Sequence, residues 1–541
     1  MNFNKKLAVA VSGAVLLMAG QFALADSATD IVDALVMKGV LTEEEGKLIT
    51  KGHTSKTATA PVVSQKDGAF KIETPNGKNS IQFTGRMHFD TRVNSINSFG
   101  TEGNNFGDAY DRDSNSVADQ FVLRRARIGV KGRLGGIADY EVVTNLVGAS
   151  TNTVDVAFID VNKYEPLSLR LGRFKQPFNL EELTSSNNID FVERSYINQN
   201  APGKKLGAML HGTNGKGITY AASLFKMNDA AISAEDSDWN FAGRGSINFA
   251  EIMGDKNMIM HLGLAGYHAD YQVTPALSNN TGSGLVASET RATVFGFRSA
   301  GGGLANAYRA QIAGGTVGTG FSYGNASNTT ASVQNRAVGL EAIIASGPFK
   351  VQGEFAMTKY NAKSAGTTAD PADSIKADVD TAYIEAMYML TGERYSDAYK
   401  RGVNGLVKPN KEFDFDTGKG IGAWEIGLRY DMFDVNGTDH TGTGVSRFQG
   451  AIAGGTTTSY DKNQSCVYKA AQANSTCNAN GGAQSYTAGI KWTLNPNMLV
   501  KLNYTYTHFD NAFKPIDLLG TAAQKMIDHE DLLMLRTQFM F

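Results

Sequence analysis

Trp424-Glu425-Ile426-Gly427-Leu428-Arg429-Tyr430-Asp431-Met432 sets apolar side chains on every even position, with Glu425, Arg429 and Asp431 between them. The scheme returns in Tyr486-Ala488-Ile490-Trp492-Leu494, with Thr487, Lys491 and Thr493 on the other parity. It returns again in Val500-Leu502-Tyr504-Tyr506, with Lys501, Asn503 and Thr505 alternating. Successive side chains of a strand point to opposite faces, so each stretch has one apolar and one wet face. One such stretch is a weak signal; three in succession predict the wall of a membrane barrel, apolar toward lipid and polar toward a water-filled lumen.

Working outward, the rhythm repeats from Ser80 to the end in segments of about ten residues, separated alternately by short turns and long loops. The turn Asn495-Pro496-Asn497 is short enough for the periplasmic side, which places 433–484 outside as the longest surface loop. Counting forward from an ascending strand near 80–94 gives a descending strand at 120–134, a tight Gly135-Gly136 turn and an outside loop at 175–204. The two counts agree in parity. The expected fold is an antiparallel outer-membrane β-barrel of 16 to 18 strands with an inward-folded constriction loop. The count reaches eighteen if 290–322 supplies two strands to the wall and sixteen if it does not. By the same parity 392–421, with Glu393, Arg394, Lys400, Arg401, Lys408 and Lys411, is a periplasmic connection too long for a turn, and is expected to fold back into the lumen.

Composition agrees with a barrel. The 541 residues hold 59 Gly against 11 Pro, with 20 Tyr and 28 Phe, a balance of turns and aromatic-edged strands. After the N-terminus no apolar run approaches the roughly 18 residues of a spanning helix. Lys5 and Lys6, the apolar Leu7 to Ala19 and Ala23-Leu24-Ala25 read as a signal peptide, residues 1–25, cleaved ahead of Asp26. Residues 26–66 read as a periplasmic helical hairpin, with a capping box Thr42-x-x-Glu45, and a Thr/Ala/Ser-rich linker over 53–66. The barrel domain then occupies 67–541. The formal net charge of −2 falls to −4 once the first 25 residues, with their two lysines, are removed. Such a value names no partner and gives no sign of nucleic-acid binding; what matters in a pore is where the bases sit. Cys466 and Cys477, in a polar loop of an exported chain, read as a local disulfide rather than as metal ligands.

The densest basic strand is Phe121-Val122-Leu123-Arg124-Arg125-Ala126-Arg127-Ile128-Gly129-Val130-Lys131-Gly132-Arg133. With Ala126, Ile128 and Val130 toward lipid, Arg125, Arg127, Lys131 and Arg133 fall on the lumen side. A charge facing mid-bilayer lipid would cost about 2–4 kcal/mol. Arg124, on the other parity, is expected near the polar rim. Arg86 and Arg92, Arg170 and Arg244 extend the series on neighbouring strands. Guanidinium groups offer paired donors to oxyanions, so this wall predicts a path for small hydrophilic anions. The bland alternative is a general diffusion porin whose inward bases and acids merely set a transverse field.

The segment Gly172-Arg173-Phe174-Lys175-Gln176-Pro177-Phe178-Asn179-Leu180-Glu181-Glu182, continuing through Asn188-Ile189-Asp190-Phe191-Val192-Glu193-Arg194, closely resembles the signature of the phosphate-selective porin family, the O and P type. Arg124-Arg125-Ala126-Arg127, Leu390-Thr391-Gly392-Glu393 and Gly422-Ala423-Trp424-Glu425-Ile426 match it further, so the likeness covers nearly the whole mature chain. The resemblance implies a homotrimer of sixteen-stranded barrels whose third loop narrows the pore. It also implies an arginine ladder onto which Arg125, Arg127 and Arg133 map. Here the constriction segment sets Glu181, Glu182, Asp190 and Glu193 beside Arg173, Lys175 and Arg194, a mixed rather than purely basic charge.

The chain ends in an alternating strand closed by Phe541, which resembles the signal read by the barrel-assembly machinery. No Gly-x-Ser-x-Gly or His-x-x-x-His setting supports an enzyme, and no cofactor or metal is expected. A non-conducting structural or adhesive barrel is the remaining alternative.

Overall fold

The even-numbered apolar residues of the last strands meet one another in register. Trp424 lies opposite Trp492, Ile426 opposite Ile490 and Tyr430 opposite Tyr486, and on the next strand Ile490 lies opposite Leu502. In this computed structural model Leu428 is 66% exposed on the outer wall, whereas its neighbour Arg429 is 4% exposed and turned inward. One face is thus apolar for lipid and the other is polar, as the two-residue period requires.

The structure describes residues 60–66, 69–94, 119–147, 154–227, 238–273, 291–302, 308–313, 331–364, 374–441, 447–449, 465–467, 480–513 and 527–541, with most of 32–49. Sixteen antiparallel strands close into a ring, in which Ser80–Asn94 pairs with Gln120–Leu134 on one side and with Ile527–Met540 on the other. No described helix is long and apolar enough to cross a membrane. Phe541 exchanges backbone hydrogen bonds with Gly85 where the ring closes.

The wall is uneven. Six consecutive strands, Ala138–Asn145, Val154–Val161, Ser168–Lys175, Lys204–Thr213, Ile218–Phe225 and Asn240–Asn248, hold 8 to 10 residues each. Those from Met258–Val273 round to Met498–Phe513 hold 15 to 19. At about 3.4 Å per residue an eight-residue strand is about 27 Å long, close to the ~25 Å apolar band of such barrels. The longer strands rise well beyond it.

The count of eighteen is corrected to sixteen in the wall. Two further strands, Val62–Lys66 and Ala69–Glu73, form a hairpin that adds to the end of Ser80–Asn94. Val62–Lys66 therefore is strand where the sequence suggested linker, because Val62 and Val63 give the segment β character among its small polar neighbours. Arg291–Phe297 and Tyr308–Ala313, inside 290–322, do pair, but in a separate four-stranded sheet with Arg447–Gln449 and Ser465–Val467. Their apolar face packs against inward side chains of the wall, Tyr360 and Phe433 among them, instead of lipid, and alternation alone cannot tell these surroundings apart. Removing a pair of strands leaves the parity intact, and makes 274–330 the longest connection between wall strands, ahead of the segment after Thr441. Among the N-terminal residues, Thr42 and Glu45 do exchange capping hydrogen bonds, at 2.9 and 3.2 Å. Residues 1–25 and the pairing of Cys466 with Cys477 lie outside the described residues.

Candidate functional site: a basic cavity beside an anchored loop

The connection from Lys175 to Lys204 starts on the outside and turns into the lumen. Asn179, in the left-handed region at φ 66°, makes the turn inward and donates to the carbonyl of Ile197 at 2.9 Å, tying the two arms of the loop together. Leu180–Leu183 is one helical turn. Its first N–H groups, on Leu180 and Glu181, donate to the carboxylate of Glu354 at 2.7 and 2.8 Å, which satisfies donors that a helix start leaves unpaired.

The rest of the loop is bound to the tall wall in the same manner. The N–H of Val192 donates to Asn503 at 2.9 Å and that of Tyr196 to Asp431 at 3.0 Å. Asp190 sits between Lys350 at 2.5 Å and Lys491 at 3.2 Å. Lys501 donates to the carbonyls of Ile189 and Phe191. Glu193 accepts from Arg124 at 2.8 Å, Arg536 at 2.9 Å and Arg92 at 3.1 Å. Burial pushes the Glu193 carboxyl up, but Arg124, Arg536 and Arg125 together hold it well below the usual carboxylate range. Glu181 accepts from the Ser195 N–H and from Arg429, which also lies over the Phe191 ring at 4.8 Å.

The position of Arg124 corrects the expectation that it sits at the rim. His88 pairs with Arg125 and Phe89 with Leu123, so Arg124 is the extra residue of a β-bulge. A bulge lets two consecutive side chains leave the alternation, and here Arg124 reaches the loop rather than the outside.

Below the loop the periplasmic connection between Met389 and Ala423 enters the lumen. Tyr395 and Val407 are buried with Leu180 and Phe191 of the loop. Tyr399 bonds His261 at 2.7 Å and Asn404 donates to Gln352 at 2.7 Å. On the outer side the small sheet fills the tall half, where Phe297 stacks on Phe433 at 4.2 Å and Tyr196 meets both edge-on.

What is left is an off-centre cavity of about 760 Å³ between the loop and the low wall. Ten Arg or Lys side chains border it against four Asp or Glu. Arg86, Arg125, Arg127, Arg170, Arg173, Lys175, Arg194 and Arg244 are among the ten, with Arg401 of the segment expected to enter the lumen; Lys204 is the one that the sequence pattern does not point to. Arg86 donates to Ser185 and Ser186 at 3.3 and 2.9 Å. Arg127 pairs with Asp155 at 2.9 Å, and Lys204 reaches the same carboxylate. Arg170 holds Asp160 at 2.6 Å, and Arg244 holds Glu341 at 2.6 Å. Lys175 and Arg194 donate to carbonyls of the loop's helical turn, at Thr184 among others. Arg125 is buried, yet its Nη1 has no hydrogen-bond acceptor among the described residues.

Not every base falls here. Arg92 turns to Asp90 and Glu193 in the anchor. Arg133 binds Asp139 at 3.1 Å beside the Gly135-Gly136 turn, and Lys131 lies in register with Glu141 toward the same end. Of the four loop acids only Glu182 borders the cavity. The mixed charge read from the sequence therefore divides by side, with Glu181, Asp190 and Glu193 spent on the anchor.

A closed antiparallel barrel narrowed by an inward loop, apolar outside and charged within, defines an outer-membrane porin. The chain belongs to the family described as phosphate-selective porin O and P, which it matches over residues 99–293 and 320–541. It resides in the outer membrane of a Gram-negative bacterium and forms a water-filled channel through which small anions diffuse. It is similar to Porin O of Pseudomonas aeruginosa, with 28% identity over 398 residues that cover 71% of this chain and 79% of that one. Solved structures with a similar strand arrangement include OmpT of Vibrio cholerae, at 9% identity and TM-score 0.42, covering 86% of this chain and 98% of that one. An anion-selective porin from Comamonas acidovorans matches at 10% identity and TM-score 0.40, covering 86% and 100%.

Proposed function

We propose that anions such as inorganic phosphate pass through the cavity beside the loop, and that Arg86, Arg125 and Arg127 form its narrowest recognition point. The observation that carries this reading is the ten-to-four excess of bases around the cavity. Guanidinium groups in excess beside the cavity offer charged donors to an oxyanion in transit. Planar-bilayer recordings should show preference for anions over cations, and Arg125→Glu with Arg127→Glu should weaken or reverse it. Equal or greater cation permeability in the unmodified protein would overturn the proposal. Adding phosphate to a chloride solution should reduce the current if phosphate binds the path.

We further propose a homotrimer in which neighbouring copies cover part of the low wall, where Leu169, Leu171 and Leu210 stand exposed on the outside. Cross-linking in detergent should give a three-fold ladder. Outer-membrane lipid covers the remaining apolar band, and the barrel-assembly machinery reads the strand ending in Phe541; a Phe541→Ser chain should insert more slowly. No catalytic role is assigned to any residue.

A further inference from the structure

The periplasmic connection carries a feature that anchoring does not require. Lys400 and Val403 exchange backbone hydrogen bonds at 3.0 and 3.1 Å around Arg401 at φ 50° and Gly402 at φ 77°. Two central residues with positive φ make a type I′ turn, whose positions favour Asn, Asp and Gly. Gly402 meets that demand and also lies against the wall: a Cβ there would come within 2.8 Å of Ser246 and 2.9 Å of Thr219. Its carbonyl accepts from Arg244 at 2.6 Å, which fixes the turn to the low wall. Arg401 occupies the other position, in a conformation that a residue with a Cβ adopts only at a conformational cost. Its side chain borders the cavity and meets Glu165, from the turn between Val161 and Ser168, at 2.7 Å.

Burial separates this pair from the other bases of the cavity. Arg244 and Glu341 are 7% and 2% exposed and held by further partners, the Gly402 carbonyl and His261, whereas Arg401 and Glu165 are 61% and 59% exposed. A solvated ion pair stabilises by only about 0.2–1 kcal/mol, so an arriving anion competes for Arg401 on nearly equal terms.

From this geometry we infer that Arg401 and Glu165 form an exchangeable latch at the periplasmic end of the channel, where Arg401 leaves Glu165 to take an anion emerging from the cavity. The inference rests on the anion path proposed above. Glu165 acts as a resident competitor that keeps the exit site weak, so that the anion leaves.

The test is a double-mutant cycle read as block of chloride current by inorganic phosphate added from the periplasmic face. Glu165→Gln should lower the half-blocking phosphate concentration about two- to fivefold, the range an exposed ion pair supports. Arg401→Asn keeps a residue suited to the turn, and should raise that concentration and abolish the effect of Glu165→Gln. A Glu165→Gln effect of the same size with and without Arg401, or none at all, overturns the latch. The unmodified channel in the same chamber separates the two failures: absent anion preference sinks the path itself, while anion preference with uncoupled variants sinks the latch alone.

Discussion

The two halves of the barrel spend the same residue types differently. In the tall half Lys350, Lys491, Lys501, Arg429 and Arg536 are all at most 5% exposed, and each holds a carboxylate or carbonyl of the constriction loop or its surroundings. Around the cavity Arg86 and Arg127, from the 15-residue strands Ser80–Asn94 and Gln120–Leu134, and Lys204, from the low wall, share hydroxyls or a single carboxylate, Asp155. A basic side chain in a lumen is therefore no evidence of an ion path until its partner is known. Charge matched within protein builds a constriction, and charge in excess beside water selects what passes it.

The largest effect expected from breaking this division is on the anchored side. Asp190→Ala leaves Lys350 and Lys491 buried with one carboxylate fewer, a loss of about 3–5 kcal/mol for a disrupted buried pair. Heat-modifiable migration should then occur at a lower temperature, with a larger and noisier single-channel conductance as the loop loosens. Unchanged thermal behaviour would show that the loop is held by something else.

On the cavity side Arg86→Gln should leave thermal behaviour nearly unchanged but weaken phosphate block about ten- to hundredfold, the loss of a charged hydrogen bond of about 1.5–3 kcal/mol. A drop in stability matching that of Asp190→Ala would erase the distinction between the halves. Glu182→Gln, at the one loop acid beside the cavity, should sharpen anion preference by less than about 1 kcal/mol, seen as a small shift in reversal potential. The smallest effect is that of pH. A carboxylate with a depressed folded value stabilises fully above the ordinary value of about 4.3 and loses that contribution only as pH falls through the folded one. For Glu193, held well below the usual range, the loop should thus stay docked between about pH 5 and 8. Closure voltage measured across that window should be flat, and a step within it would assign the control to another group.

Much of the fold could be read from the chain because lipid imposes one chemistry on every second residue. Trp424, Ile426, Leu428 and Tyr430 could face only one way, and register follows from that. Where the surroundings were protein, the same rhythm misled: Phe295, Phe297 and Tyr308 alternate as wall strands do, yet bury their rings against Phe433 and Tyr360. The anchors were hidden by separation along the chain. Leu180 meets Glu354 across 174 positions and Asp190 meets Lys491 across 301, and no local pattern encodes either. Inward Lys350 and Arg536 could have been found by parity, but not their partner. The bulge at Arg124 could not, since one added residue leaves no mark in a stretch of arginines.

The clasp on Glu193 carries a consequence for biogenesis. Asp90 and Arg536, which belong to the first and last strands of the ring, bind each other at 2.6 Å, and Glu193 bonds Arg92, Arg124 and Arg536 from the two sides of that seam. Its binding site is therefore complete only after the ends of the sheet have met. In a nascent barrel the bonds to Glu354, Asp431 and Asn503 can therefore form first, and this clasp is the part of the loop's seat that only closure supplies.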